Sequence, residues 1–179
     1  FGDHSGYNLE FGGEALANLS LDARRTVTTM ATELNAEFAV FEPDRVLLDY
    51  VRERNEAAFE PVHADADAVY AHRRTLDLSK VEPLVAKPDK LIGNSVGVSQ
   101  LAGQRIDQAF IGSCANGNLE DLAIAAQVVA GRRVAPGVRF LVTPGSQEIY
   151  RQALKAGYVE TLMDAGAIVT PATCGACGG

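Results

Sequence analysis

The chain has 179 residues, 47% hydrophobic and 22% charged, enough apolar material to bury a core in one domain or two small ones. Its net charge is −7 with the acidic residues scattered, and no basic cluster is present to hold a nucleic-acid backbone. No apolar run approaches the roughly 18–20 residues that cross a bilayer, and no signal-peptide pattern opens the chain. An odd number of cysteines, three, would leave a thiol over in any disulfide framework, so free or metal-bound thiols in a reducing cytoplasm are expected. Phe1 in place of Met, and Gly178-Gly179 directly after a cysteine loop, suggest a fragment of something longer.

In chain order, Tyr7, Leu9 and Phe11 alternate as in a strand that ends at Gly12-Gly13. The Asp3-His4 pair before it has no third partner and is not assigned acid–base work. Ser20 is a good N-cap for a helix with apolar Val27, Met30, Ala31 and Leu34. On that helix Thr26, Thr29 and Glu33 recur at three- and four-residue steps and share a face. The face is either solvated or lines a polar cavity, with Glu33 as a hydrogen-bonding or proton-transfer group. A short apolar strand follows at 36–41. A helix then runs from Glu42-Pro43-Asp44 to Arg54, with Val46, Leu47, Tyr50 and Val51 expected inside. This alternation favours a layered α/β unit.

Residues 55–80 are irregular and acidic around Asp65 and Asp67, with a helix conceivable over 68–74. His63 and His72 have no carboxylate or cysteine at ligand spacing, so they are read as surface residues. Residues 81–86 look extended, with Pro83 confining them to an edge. Pro88, Gly93, Asn94, Gly97 and Gly103 mark 87–104 as a connector. The expected organisation is a first α/β unit at 1–86 carrying Glu33, the connector, and a second α/β unit at 105–179.

The second unit has a clear rhythm. A strand at 106–111 turns through Gly112-Ser113-Cys114, and a helix over 118–130 buries Leu119, Leu122, Ala126 and Val129. Arg139 to Thr143 is the next strand, broken by Pro144-Gly145. Ser146 caps a helix to Lys155, another helix spans 159–165, and a strand at 167–169 precedes the terminal loop. Successive strand–helix units close a parallel sheet, in which ligands collect beyond the carboxyl ends of the strands. Cys114 and the Cys174-Gly175-Ala176-Cys177 loop both follow strands, so they can meet at that edge although sixty residues separate them.

Cys114 alone is as compatible with packing as with ligation. The Cys-x-x-Cys pair alone divides between a redox dithiol, half a zinc site and half an iron–sulfur site. Structural zinc prefers four protein ligands, and no histidine stands near as the fourth. Three thiolates amid small neighbours (Gly112, Ser113, Gly175, Ala176, Gly178) leave room for an inorganic core with one open corner. An enzyme that uses the open corner as a Lewis acid, a non-catalytic metal or redox module, and an inactive scaffold fragment all remain open at this point.

Residues 111–122, Ile-Gly-Ser-Cys-Ala-Asn-Gly-Asn-Leu-Glu-Asp-Leu, resemble the first cluster-ligand signature of the aconitase superfamily, and residues 171–177, Pro-Ala-Thr-Cys-Gly-Ala-Cys, resemble the second. Thr143-Pro144-Gly145-Ser146 and residues 81–88 also look like family elements. The likeness runs from Tyr7 onward and is greatest to the large subunits of isopropylmalate and homoaconitate hydro-lyases.

The resemblance implies an aconitase-like iron–sulfur domain of three-layer α/β units with mainly parallel sheets. It implies a [4Fe–4S] cluster held by Cys114, Cys174 and Cys177, with one iron free to take a hydroxy-acid substrate, most simply 3-isopropylmalate and 2-isopropylmalate. Dehydration and rehydration would then isomerise the substrate. Glu33 falls where the family places an active-site glutamate, and Ser113 and Asn116 fall beside the cluster. Thr29 stands where single-chain aconitases carry asparagine. The family keeps its serine base on a swivelling domain or small subunit, and its substrate-binding arginines lie beyond the last cysteine. The chain alone is therefore expected to be inactive, with a small subunit as partner and neither nucleic acid nor membrane involved.

Overall fold

The computed structural model describes residues 5–89 and 93–177. The Asp3-His4 pair, residues 90–92 of the expected connector, and Gly178-Gly179 lie outside the described residues. Two compact units divide the chain: Phe1–Arg24 with Met30–Ala102, and Arg25–Thr29 with Gly103–Gly179. The fold is α/β, and among the described residues two of three sheets pair in parallel.

In the first unit, strand β1 (Asn8–Phe11) runs parallel to β2 (Phe38–Phe41), with Asn8 opposite Phe38 and Phe11 opposite Phe41. The Phe11 and Phe41 rings stack at 5.0 Å, whereas Phe38 and Val40 point to solvent. Helix α1 (Leu21–Met30) starts as expected at Ser20, whose hydroxyl accepts from the Ala23 amide at 3.1 Å. It tightens into a 3-10 turn (Ala31–Leu34) that ends on Asn35 in the left-handed region, φ 58°. The faces of α1 differ from a simple hydrophobic reading. Val27 and Met30 are exposed, while Thr26 and Thr29 are half-buried and the fully buried residue is Arg24.

Asp44 caps α2 (Arg45–Arg52), accepting from the Leu47 amide at 3.0 Å. Leu47, Tyr50 and Val51 are half-buried, as is Leu48, but Val46 is exposed. Residues 68–74 form no helix. The Tyr70 hydroxyl is tied to Glu10 on β1, and the His72 ring lies 5.8 Å from that of Tyr7, contacts that hold the segment irregular. His63 and His72 are exposed. The expected connector also differs from the observation. Residues 84–86 form β3 (Leu84–Ala86), antiparallel to β4 (Ser95–Gly97), and a 3-10 turn follows at Val98–Leu101. Asn94 helps close this hairpin, its side-chain amide donating to the carbonyls of Lys87 and Pro88.

The first unit buries few large apolar side chains; among its described residues only Leu16 and Ala31 are buried hydrophobics. Arg24, 4% exposed, ties the unit together instead. Its two terminal nitrogens each donate to Asp44 at 2.7 Å, Nη2 also reaches the Leu16 carbonyl at 2.7 Å, and Nε reaches the Leu19 carbonyl at 3.2 Å. One guanidinium thereby joins α1, the 3-10 turn Glu14–Asn18 and the cap of α2. Hydrogen bonding from Arg24 draws the Asp44 carboxyl down to about 2.

The second unit has a conventional core. Strands β5 (Gln108–Gly112), β6 (Arg139–Thr143) and β7 (Ile168–Val169) form a parallel sheet in that order. Helix α3 (Ser113–Asn116) is a single turn directly after β5. Helices α4 (Leu119–Val129), α5 (Gln147–Lys155) and α6 (Tyr158–Asp164) pack on one another. Leu122, Ala126, Phe140, Val142, Ala153, Val159 and Leu162 make the core between helices and sheet. Fully burying Leu122 and Leu162 contributes about 2–3 kcal/mol each. Ser146 caps α5 as expected, accepting from the Ile149 amide at 3.1 Å.

Asp44→Asn keeps a helix cap but leaves Arg24 buried without its counter-charge, and is expected to cost about 3 kcal/mol in urea unfolding at pH 7. Because the folded pKa of Asp44 is depressed, its contribution is present above about pH 4 and is lost as pH falls toward 2. The difference between the two proteins should therefore shrink over that window.

Candidate active site at the carboxyl edge of the parallel sheet

The second unit's sheet ends in a crossing of backbones with no side chain between them. At Gly112, φ +148°, a Cβ would lie 2.2 Å from the Thr143 carbonyl oxygen. At Gly117 a Cβ would lie 2.6 Å from the Ser113 carbonyl and 2.7 Å from both the Gly145 nitrogen and the Thr143 carbonyl. Only glycine permits that approach. The Gly145 amide donates to the Gly117 carbonyl at 2.8 Å, which staples the α3 turn to the end of β6.

This staple sets out the candidate residues in sequence. Ser113, at φ +64°, is 2% exposed, and its hydroxyl is buried without a hydrogen-bond partner. Cys114 follows and is exposed. Asn116 is exposed, and its amide donates to Asp121 at 3.5 Å. Asp121 in turn accepts from the Asn118 amide at 2.9 Å and closes the first turn of α4. Thr26 of α1, in the part that clusters with this unit, donates to the Ala115 carbonyl at 2.6 Å.

The terminal cysteines arrive from the other side. The Thr170 amide donates to Val142, and the hydroxyls of Thr143 and Thr170 meet at 2.7 Å. Cys174 precedes and Cys177 ends the 3-10 turn Gly175–Cys177, in which the Cys177 amide donates to the Cys174 carbonyl at 3.1 Å; both cysteines are exposed. At Gly175, φ +58°, a Cβ would lie 2.8 Å from the Thr143 hydroxyl and 3.3 Å from the Phe110 ring. Thr143, 1% exposed, is thus the common neighbour of both cysteine segments.

The structure brings both segments to one edge without gathering their sulfurs: among the described residues, no three His, Cys, Asp or Glu side chains form a group that could hold a metal ion. In donor chemistry the edge suits a soft inorganic group. It offers three thiols, one buried hydroxyl with an unused proton, and glycines where a Cβ would crowd. Glu33 is exposed in the 3-10 turn of the first unit.

A scan against family profiles matches residues 2–179 to the aconitase family (aconitate hydratase). The chain belongs to the aconitase family. It is 50% identical over 179 residues to the 3-isopropylmalate dehydratase large subunit of Mycolicibacterium smegmatis, covering 100% of this chain and 42% of that protein. It is 44% identical over 171 residues to 3-isopropylmalate dehydratase large subunit 2 of Rubrobacter xylanophilus, covering 96% and 40%. The probable methanogen homoaconitase large subunit of Methanothermobacter thermautotrophicus is 44% identical over 170 residues, covering 95% and 40%. The chain therefore spans about two fifths of the length of these curated relatives.

Sequence reasoning singled out the cysteine segments of this aconitase-family chain but not the residue they share. Thr143 opens the family-like stretch Thr143-Pro144-Gly145-Ser146, yet its contacts are backbone approaches that leave only glycines as a trace. The bond from Thr26 to Ala115 spans 89 residues and left one signal, a threonine on the polar face of α1.

Gly117 has φ −114°, open to any residue, so Gly117→Ala reads the contact alone. It is expected to destabilise the second unit by at least about 3 kcal/mol. Gly131→Ala, strained at φ +68° but facing open space, should cost only about 1 kcal/mol in the same thermal unfolding experiment.

Proposed function

We propose that this chain is the cluster-bearing part of a hydro-lyase large subunit that isomerises hydroxy di- or tricarboxylic acids. The leading substrate pair is 3-isopropylmalate and 2-isopropylmalate, a step of leucine biosynthesis. The observation that carries the proposal is the packing of both cysteine segments on Thr143 at the carboxyl edge of a parallel sheet, in an aconitase-family chain. Relatives named as dehydratase and homoaconitase large subunits support the reaction class and a small-subunit partner. Among the described residues no helix is long and apolar enough to cross a membrane.

Cys114, Cys174 and Cys177 would hold a [4Fe–4S] cluster as thiolates. When bound, such a cluster supplies a Lewis acid that makes a substrate hydroxyl a better leaving group, with no net electron transfer. The buried Ser113 hydroxyl has a proton to donate beside Cys114, and that is the role assigned to it. Asn116, one turn position on, would donate its amide to cluster sulfur in place of its long contact with Asp121. Glu33 would hold the leaving water or its proton, and the partner subunit or a swivelling domain would bring the base that removes the carbon-bound proton.

Anaerobic reconstitution with iron and sulfide should turn the protein brown with about four irons per chain, one of them labile. Cys114→Ala, Cys174→Ala or Cys177→Ala should each abolish stable uptake. Tight, colourless zinc binding in place of iron would overturn the assignment. In the assembled enzyme Glu33→Gln should lower turnover by about 10²-fold while the chromophore stays; unchanged turnover would remove Glu33 from the mechanism.

A further inference from the structure

We propose that Thr26 is a positioning residue for the Cys114 turn, acting through the hydrogen bond from its hydroxyl to the Ala115 carbonyl. Its consequence for a bound cluster rests on the reading above; its consequence for the turn does not.

The threonines of α1 divide by what their hydroxyls do. Thr28 and Thr29 bond back to the Arg25 carbonyl of their own helix, at 3.0 and 2.6 Å, as helical threonines commonly do. Thr26 sends its hydroxyl 89 residues along the chain to Ala115 at 2.6 Å. The acceptor needs it. Helix α3 is four residues long, so its carbonyls end without the next turn of amides to receive them. Among the described residues, Ala115's carbonyl otherwise meets the side-chain amide of Asn118, at 3.5 Å.

Ala115 directly follows Cys114, so fixing its peptide plane fixes the orientation of the turn that carries the thiol. The turn is then held from two sides, by Gly117 against Gly145 and by Thr26 against Ala115. Consistent with this, Arg25–Thr29 is the piece of α1 that clusters with the second unit. The need for a second hold is local: Ser113 sits at φ +64°, outside the helical region, and its hydroxyl contributes no bond to the turn.

The test compares amide hydrogen exchange in the metal-free 179-residue chain and its Thr26 variants. Thr26→Val keeps the side-chain shape and removes the hydroxyl, and Thr26→Ala is the alternative should the valine not be accommodated. Exchange of the amides at 114–117 should rise roughly fivefold in either, with α5 and α6 unchanged, and Thr26→Ser should restore native rates. Unchanged exchange at 114–117, an equal rise throughout the second unit, or a serine variant as fast as valine would each overturn the proposal. After reconstitution, a chelator should strip iron several-fold faster from Thr26→Val than from native or serine protein. A chain that takes up no iron yet shows the local exchange change would refute the cluster assignment and uphold Thr26.

Discussion

Where Cys114 sits is decided by the side chains that are missing around it. The turn after β5 passes the end of β6 so closely that a Cβ at Gly112 or Gly117 would meet backbone atoms at 2.2–2.7 Å. That contact puts Thr143 in the middle of the edge, with the α3 turn against its backbone and Gly175 against its hydroxyl. The packed layer of Leu122, Val142 and Leu162 beneath gives the crossing a fixed base. Small residues near the cysteines thus let strands and turns touch.

The two units are stabilised by different physics. The second relies on a contiguous apolar core, with helices covering a parallel sheet, which is the ordinary way such sheets are buried. The first has little such core and depends on the Arg24–Asp44 pair, whose remaining donors are satisfied by the Leu16 and Leu19 carbonyls. A buried ion pair is a weak source of net stability but a strict one for geometry, since either partner alone is costly to keep. Removing a charge there should disturb α1 and α2 together.

Most of the second unit was legible in the sequence because local signals agreed with the fold. Strand β6 spans Arg139–Thr143 as read, and Ser146, Gly131 and Gly157 mark helix ends in the usual way. The first unit was read less well where long-range contacts overrode local pattern. Val27 and Met30 look like an inner face but are exposed, because the chain buries Arg24 instead. Residues 68–74 have the composition of a helix, yet Tyr70 and His72 are committed to β1 and Tyr7. The connector hid a hairpin because β4 is only three residues long and begins just after Gly93-Asn94. At the site, residue types and spacing singled out the three cysteines that the proposal uses, while the contacts of Thr143 and the bond from Thr26 to Ala115 are ones that no spacing encodes.

The proposal for this edge is that sulfurs from two loops hold a single inorganic group. The most direct measurement is cysteine alkylation read by mass spectrometry before and after anaerobic loading with iron and sulfide. The account predicts that Cys114, Cys174 and Cys177, all reactive in the metal-free chain, become protected together and in equal proportion. Protection of Cys174 and Cys177 with Cys114 still alkylated at its metal-free rate would contradict it.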